Sequence, residues 1–340
     1  MASVSVFGAG SWGTALAILL ARNGHDVLLW GHRPEHVQLL QQQRCNTRFL
    51  PDTPFPAGLS VTSDPITAAK FANTLLIVVP SHAFRGMLEC LKPALDAHSK
   101  IVWATKGLEL ESGLLLHEVV GNVLGHHRPA AILSGPSFAA EVAQGQPTAI
   151  TVASESPDFA AELVSLLHNP QFRPYSSPDI TGVELGGAIK NVLAIAAGVA
   201  DGLGYGANAR AALITRGLAE MMRLGVALGG RPETLMGLSG VGDLILTCTD
   251  NQSRNRRFGL NLGQGKRREN IMAEIGQEIE GIPTASIIHR LALKHGIEMP
   301  ITHQVYRILY EDMPPAEAVS SLLLREPKPE STLTDQPLAT

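Results

Sequence analysis

Gly8, Gly10 and Gly13 stand between a short apolar run, Val4–Phe7, and an amphipathic stretch that opens at Thr14. In the order strand, G-x-G-x-x-G, helix, each glycine has a task. The first permits a tight turn, the second lets a pyrophosphate approach the backbone, and the third lets the helix pack on the strand. Phosphates then rest on free N–H groups at the positive end of the helix. A glycine turn that binds nothing is the plain alternative, and the strand-first context favours a dinucleotide. Its type is read about 20 residues on, where an NAD site carries Asp or Glu. Here the second run, Asp26–Trp30, ends in Gly31-His32-Arg33. The planar fork of Arg33 suits a 2′-phosphate. NADP(H) is therefore favoured over NAD(H), which stays open, as does a merely solvated arginine.

The second half of the chain offers a different kind of chemistry. Lys190 lies in G-G-A-I-K-N-V-L-A-I-A-A-G, an otherwise uncharged stretch of helical period that should be mostly buried. Desolvation lowers a buried lysine's pKa toward neutrality, which suits a general acid/base. The alternative is a lysine that snorkels from the helix surface. Asn191 beside it points elsewhere on the helix and reads as structural or as a supporting donor. Asp243 is the only charge in G-L-S-G-V-G-D-L-I-L-T-C and could orient Lys190, accept from substrate hydroxyls, or cap a helix. In the segment Asp250–Arg257, Ser253 could cap a helix and leave N–H groups beside Arg254 and Asn255 for a phosphate. Three arginines in four residues could equally be a solvated helix face. Lys106 beside Gly107, and the turn Ser134-Gly135-Pro136-Ser137, both follow apolar runs and add a cation and hydroxyls.

The elements that position these residues come in two kinds. Apolar runs at 75–79, 101–104, 131–133 and 149–153 alternate with helical stretches near 83–95, 111–123 and 158–167. That alternation predicts a parallel sheet covered on both faces, with ligands outside the carboxyl ends of its strands. After about Pro178 the pattern turns helical throughout, with long Ala- and Gly-rich stretches at 181–200 and 207–228. The expected division is 1–178, a dinucleotide-binding domain, then 179–324, an all-helical substrate domain, then 325–340, a disordered Pro-rich tail. A chain of 340 residues with 45% hydrophobic and 17% charged residues fits two globular domains. A net charge of -4 argues against nucleic acid as a partner. Cys45, Cys90 and Cys248 form neither a disulfide framework nor a metal spacing. No metal is expected. No apolar run looks long enough for a membrane span and no signal peptide is evident, so a cytoplasmic location is expected.

Longer motifs then make a family visible. The segments G-A-G-S-W-G-T-A-L-A (8–17), A-T-K-G-L (104–108) and S-G-P-S-F-A-A-E (134–141) stand in one order with two longer ones. These are G-A-I-K-N-V-L-A-I-A-A-G-V-A-D-G-L-G-Y-G-A-N (187–208) and G-L-S-G-V-G-D-L-I-L-T-C-T-D-N-Q-S-R-N-R-R-F-G (237–259). Over about residues 4–324 the chain resembles bacterial NAD(P)-dependent glycerol-3-phosphate dehydrogenases. The resemblance implies an α/β Rossmann-like domain followed by an all-α domain like the C-terminal one of 6-phosphogluconate dehydrogenase, in a homodimer. It implies reversible hydride transfer between NAD(P)H and dihydroxyacetone phosphate, yielding sn-glycerol 3-phosphate for phospholipid synthesis. It makes Lys190 the proton donor and acceptor. Lys106, Gly135, Ser137, Asp243, Ser253, Arg254 and Asn255 would line the substrate. Ser11, Trp12, His32, Arg33, Lys106, Ala139, Arg254 and Glu280 would meet the cofactor. Glu278 falls where an aliphatic residue near the cofactor is expected, which a main-chain contact would tolerate. The rivals are another two-domain dehydrogenase with a helical lysine, such as a 3-hydroxy acid or 6-phosphogluconate enzyme, and a non-catalytic dinucleotide sensor.

Overall fold

The structure is a computed structural model that describes residues 1–326; the expected tail lies outside the described residues from 327 onward. The strands are β1 (Ser3–Phe7), β2 (Asp26–Trp30), β3 (Cys45–Asn46), β4 (Leu50–Pro54), β5 (Leu59–Thr62), β6 (Thr74–Ile77), β7 (Lys100–Trp103), β8 (Ala130–Ser134), β9 (Thr148–Ala153) and β10 (Phe172–Ser177). Between them run α1 (Ser11–Arg22), α2 (Pro34–Gln43), α3 (Pro65–Phe71), α4 (Phe84–Leu91), α5 (Leu116–Leu124), α6 (Ala139–Gln144) and α7 (Pro157–Leu167). The rest is helical: α8 (Ile180–Gly202), α9 (Ala207–Ala227), α10 (Pro232–Leu235), a π-turn at Leu238–Gly242, α11 (Asp243–Thr249), α12 (Arg254–Gly263), α13 (Arg268–Ile275), α14 (Gly281–His295), α15 (Pro300–Tyr310) and α16 (Pro315–Leu323).

Eight strands form one sheet in the order β10-β9-β8-β7-β6-β1-β2-β5, while β3 and β4 make a separate hairpin. Side chains of successive strand residues face opposite sides. Val4 and Val6 accordingly join the core under α1, while Phe7, Leu75 and Ile77 join the core under α4 and α5. The chain leaves β1 toward β2 and β5 on one side and returns through β6 to β7 and β8 on the other. That reversal between β1 and β6 is where an open α/β sheet opens a crevice for a ligand.

The sheet is mixed, which corrects the expectation of a parallel one: β9 runs antiparallel to β8, and β10 runs parallel to β9. An apolar run such as 149–153 signals a buried strand and carries no information on its direction. The α3, α7 and α8 starts follow local chemistry. Asp64, Ser156 and Asp179 cap them through side-chain oxygens, and Pro65 and Pro157 occupy first-turn positions.

The helical core is built around α8, buried without a break from Gly182 to Ala200. Its length and mean hydropathy of 1.5 would suit a membrane span, but the apolar window lies wholly inside the protein. The expectation that no run reaches span length is corrected here. Glycines let α12 press directly on α8. A Cβ on Gly198 would run into the Arg256 carbonyl oxygen, and one on Gly259 into that of Ile195.

Candidate active site

The glycine loop follows β1 at the topological switch. Gly8 adopts φ +127°, and a Cβ there would collide with the Val78 carbonyl after β6. Nothing stands within 4 Å of a Cβ built on Gly10, so that backbone faces open space. Gly10 is also the N-cap of α1 and has no side-chain capping bond, which leaves first-turn N–H groups at Ser11, Trp12 and Gly13 for an anion. The Trp12 Nε1 is buried without a hydrogen-bond partner. These features fit a dinucleotide pyrophosphate. Arg33 is exposed at the N-cap of α2, its Nε donating to His32 Nε2 at 3.2 Å.

Across the crevice, 53 residues apart in sequence, Lys190 and Asp243 meet. Lys190 Nζ donates to Asp243 Oδ1 at 2.7 Å and to Thr247 Oγ1 at 2.8 Å. Lys106, following β7, donates to the other carboxylate oxygen at 2.6 Å and to the Gly135 carbonyl at 3.0 Å. One buried carboxylate therefore holds two ammonium groups from different parts of the fold. Burial lowers the Lys190 pKa to about 8, against the attraction of Asp243, and the nearby Lys106 charge pushes the same way as burial. Burial alone would raise the Asp243 carboxyl, but the two ammonium groups overcome it and hold it below the usual range. Asp243 is the first residue of α11 and its oxygens go to the lysines, so the helix-cap alternative is excluded.

The arginine segment splits three ways. Ser253 caps α12, accepting from the Arg256 N–H at 3.2 Å. Arg254 is half-buried; burial lowers its pKa, opposed by Glu280 and Glu278. Arg256 is buried against Asp201, Asn251 and the Cys248 carbonyl, and Arg257 is exposed. A solvated face describes Arg257 alone. Asn255 bridges helices: it donates to Asn191 Oδ1 at 2.9 Å and accepts from the Gly281 N–H at 2.9 Å. Asn191 also donates to the Gly187 carbonyl at 3.3 Å.

At the neighbouring strand ends, Ser137 Oγ donates to the Gly135 carbonyl at 3.0 Å, and Gly135 adopts φ +142°. Ala139 opens α6. Glu280 accepts from the Ser81 N–H at 3.1 Å and the Ser81 hydroxyl at 2.7 Å. Burial raises its pKa against those two bonds. Glu278 is exposed and lies 3.9 Å from His82 Nδ1. The structure therefore gathers Lys106, Gly135, Lys190 and Asp243 into one bonded cluster and Arg254 beside Glu280, while His32 and Arg33 sit apart at the end of β2.

Sequence reasoning passed over Thr247, one helical turn after Asp243, which also donates to Asp243 Oδ1 at 3.2 Å. The i,i+4 spacing within 237–248 carried that signal. It also passed over Ser81, and over Glu184, whose buried carboxylate takes the His117 Nδ1 at 2.5 Å and the His117 N–H at 3.0 Å.

Comparison with known proteins identifies the family. Residues 3–160 match the model for the N-terminus of NAD-dependent glycerol-3-phosphate dehydrogenase, and residues 179–320 match that for its C-terminus. A glycerol-3-phosphate dehydrogenase [NAD(P)+] of Methylococcus capsulatus is 61% identical over 96% of this chain and 98% of its own. One of Escherichia coli is 56% identical over 97% of each. A crystal structure of the Coxiella burnetii glycerol-3-phosphate dehydrogenase superposes with a TM-score of 0.93 at 52% identity, covering 95% of this chain and 99% of that one. The α/β domain with its glycine loop and the helical domain with its buried lysine are thus the two halves of one known architecture, and the chain belongs to the NAD-dependent glycerol-3-phosphate dehydrogenase family.

Proposed function

We infer that the protein is an NAD(P)-dependent glycerol-3-phosphate dehydrogenase, reducing dihydroxyacetone phosphate reversibly to sn-glycerol 3-phosphate for phospholipid synthesis. The observation that carries the reading is the buried Asp243 gripping both Lys190 and Lys106. The hydride for the C2 carbonyl would come from NAD(P)H once it is bound. In the site we propose, the Lys190 ammonium gives its proton to the C2 oxygen and is left as the amine. A pKa of about 8 leaves it mostly protonated at neutral pH, and above 8 the amine is free to take the proton back in the oxidative direction. Asp243 aims both lysines, and the Lys106 charge stabilises the developing alkoxide. Arg254 and the first-turn N–H groups of α12 hold the substrate phosphate, with Ser253, Asn255, Gly135 and Ser137 forming the walls. Gly8, Gly10, Ser11, Trp12 and Gly13 hold the pyrophosphate, and His32 and Arg33 the adenosine end. Ala139, Lys106, Arg254, Glu278 and Glu280 would meet the cofactor elsewhere along its length. The proposed division puts cofactor binding in 1–178 and substrate chemistry in 179–324; family likeness supports a homodimer in the cytoplasm.

The test is oxidation of NADPH and of NADH, followed spectrophotometrically, with dihydroxyacetone phosphate, dihydroxyacetone and 3-oxo acids. Turnover confined to the phosphorylated ketone is expected. Preference for a 3-oxo acid would overturn the substrate assignment.

A further inference from the structure

The β3–β4 hairpin lies between the glycine loop and α2, and none of the roles above uses it. Its anchor is Asn46, fully buried, whose Nδ2 donates to the Ala9 carbonyl at 3.1 Å and to Thr14 Oγ1 at 2.8 Å. Both partners belong to the glycine loop and the helix it opens. Asn46 Oδ1 meets His36 Nε2 of α2 at 3.1 Å. The turn beyond Asn46 carries Arg48, exposed, with its guanidinium 5.0 Å from the centre of the Phe49 ring. The His36 ring packs edge-on against Phe49, 5.5 Å centre to centre. A half-open cavity of about 290 Å³ lies between this turn and α2, lined by Arg33, Glu35, His36, Leu40 and Arg48 among others. That volume sits at the small end of ligand sites.

Two arginines thus face one cavity from opposite walls, against one carboxylate, that of Glu35. Arg33 stands at the end of β2, where the adenosine ribose of a bound dinucleotide falls. Arg48 is held in register with that point by Asn46, which is bonded to the same loop that would hold the pyrophosphate. The charge has the sign for an anion, and its place is that of the ribose 2′ position. We propose that Arg48 closes with Arg33 on the 2′-phosphate of NADPH and sets the cofactor preference of this enzyme. This rests on the reading of Gly8–Gly13 as a dinucleotide site and adds a second cation from the hairpin.

Calorimetric titration of the full chain with 2′,5′-ADP and with ADP separates the two claims. The unaltered protein should bind 2′,5′-ADP at least ~10-fold more tightly than ADP, as charge-assisted contacts to a phosphate provide. Arg48→Ala should remove most of that preference and leave ADP binding within about 2-fold, since the residue meets only the added phosphate. Arg48→Lys, which keeps the charge and loses the fork, should fall between. Arg33→Asp should weaken NADPH far more than NADH. The inference is overturned if Arg48→Ala keeps the full preference, or if it weakens both nucleotides equally, which would make Arg48 a support of the hairpin. Failure of the unaltered protein to bind either nucleotide would refute the dinucleotide site itself. Circular dichroism of each variant checks that the exposed substitution leaves the fold intact.

Discussion

Replacing Asp243 by asparagine removes the one negative charge between Lys190 and Lys106 while keeping the side-chain shape. The amide oxygen can still accept from one lysine, but the amide nitrogen then faces the other as donor against donor. Lys190 already has a pKa lowered to about 8 by burial, with Asp243 opposing the drop. An opposite charge at hydrogen-bond distance is worth about 1–3 pKa units, so its loss should bring Lys190 to roughly 5–7. At pH 7.5 the ammonium fraction would fall from about three quarters to about a quarter or less, and to under one per cent at the lower bound. The ammonium is the proton donor for carbonyl reduction, so activity is present below its pKa and lost as pH rises through it. The variant should therefore lose about 3-fold to ~200-fold in kcat/KM at pH 7.5 and recover part of that loss as pH is lowered. The assay is a pH profile of kcat/KM for dihydroxyacetone phosphate at saturating NADPH. An alkaline limb that stays near pH 8 in a folded Asp243→Asn variant would refute the electrostatic coupling, whatever the absolute rate.

Lys190→Ala should lose at least ~100-fold in kcat, as expected for a general acid, while NADPH titrated by fluorescence binds as before. Arg254→Ala should raise KM for dihydroxyacetone phosphate by roughly 10- to 150-fold, the worth of a charge-assisted contact, and leave the slow turnover of dihydroxyacetone nearly unchanged. Saturating NADPH must be verified in that variant, and equal loss on both ketones would refute the phosphate contact. Glu220 makes a prediction on stability. Its buried carboxylate accepts from the Ile301 and Thr302 N–H groups at the start of α15, yet burial raises its pKa to about 7. A raised carboxyl pKa means stability present below the unfolded value and lost as pH rises through 7. Relative to Glu220→Gln, the unaltered protein should lose about 3 kcal/mol between pH 4.5 and 7.5. Urea unfolding at both pH values checks this, and parallel pH curves for the two proteins would contradict it.

The residues legible in the sequence are those whose chemistry is local. Gly8, Gly10 and Gly13 declare themselves through the strand before and the helix after, and Ser253 through the helix it opens. Lys190 stands out because a charge in an uncharged helical run has few explanations. What the sequence conceals is pairing across distance. Nothing around Lys106 announces a carboxylate 137 residues away. Glu184 and Glu220 draw no notice in the sequence, because it is tertiary packing that buries them. The β3–β4 hairpin, too short and polar to show a strand period, hides Arg48 for the same reason, since its meaning comes from the cavity opposite α2. The direction of β9 is likewise set by the path of the chain and leaves no trace in its composition.

The glycine contacts between α8 and α12 have a consequence for which ketones can react. The proposed proton donor rides on α8, and the proposed phosphate cradle is the first turn of α12. Main chain touches main chain at Gly198 and Gly259, so the two helices cannot shift against each other without breaking backbone packing. The Lys190 ammonium at the end of its side chain is held in turn by Asp243 and Thr247 of α11. On the proposed assignment the two helices act as a fixed gauge, cut for a carbonyl one methylene away from its phosphate ester. A keto-phosphate longer by one carbon would meet either the lysine or the cradle, but not both. Enlarging the walls of the crevice would admit such a molecule without making it react, because the gauge lies in the helix packing and in the contacts that hold Lys190.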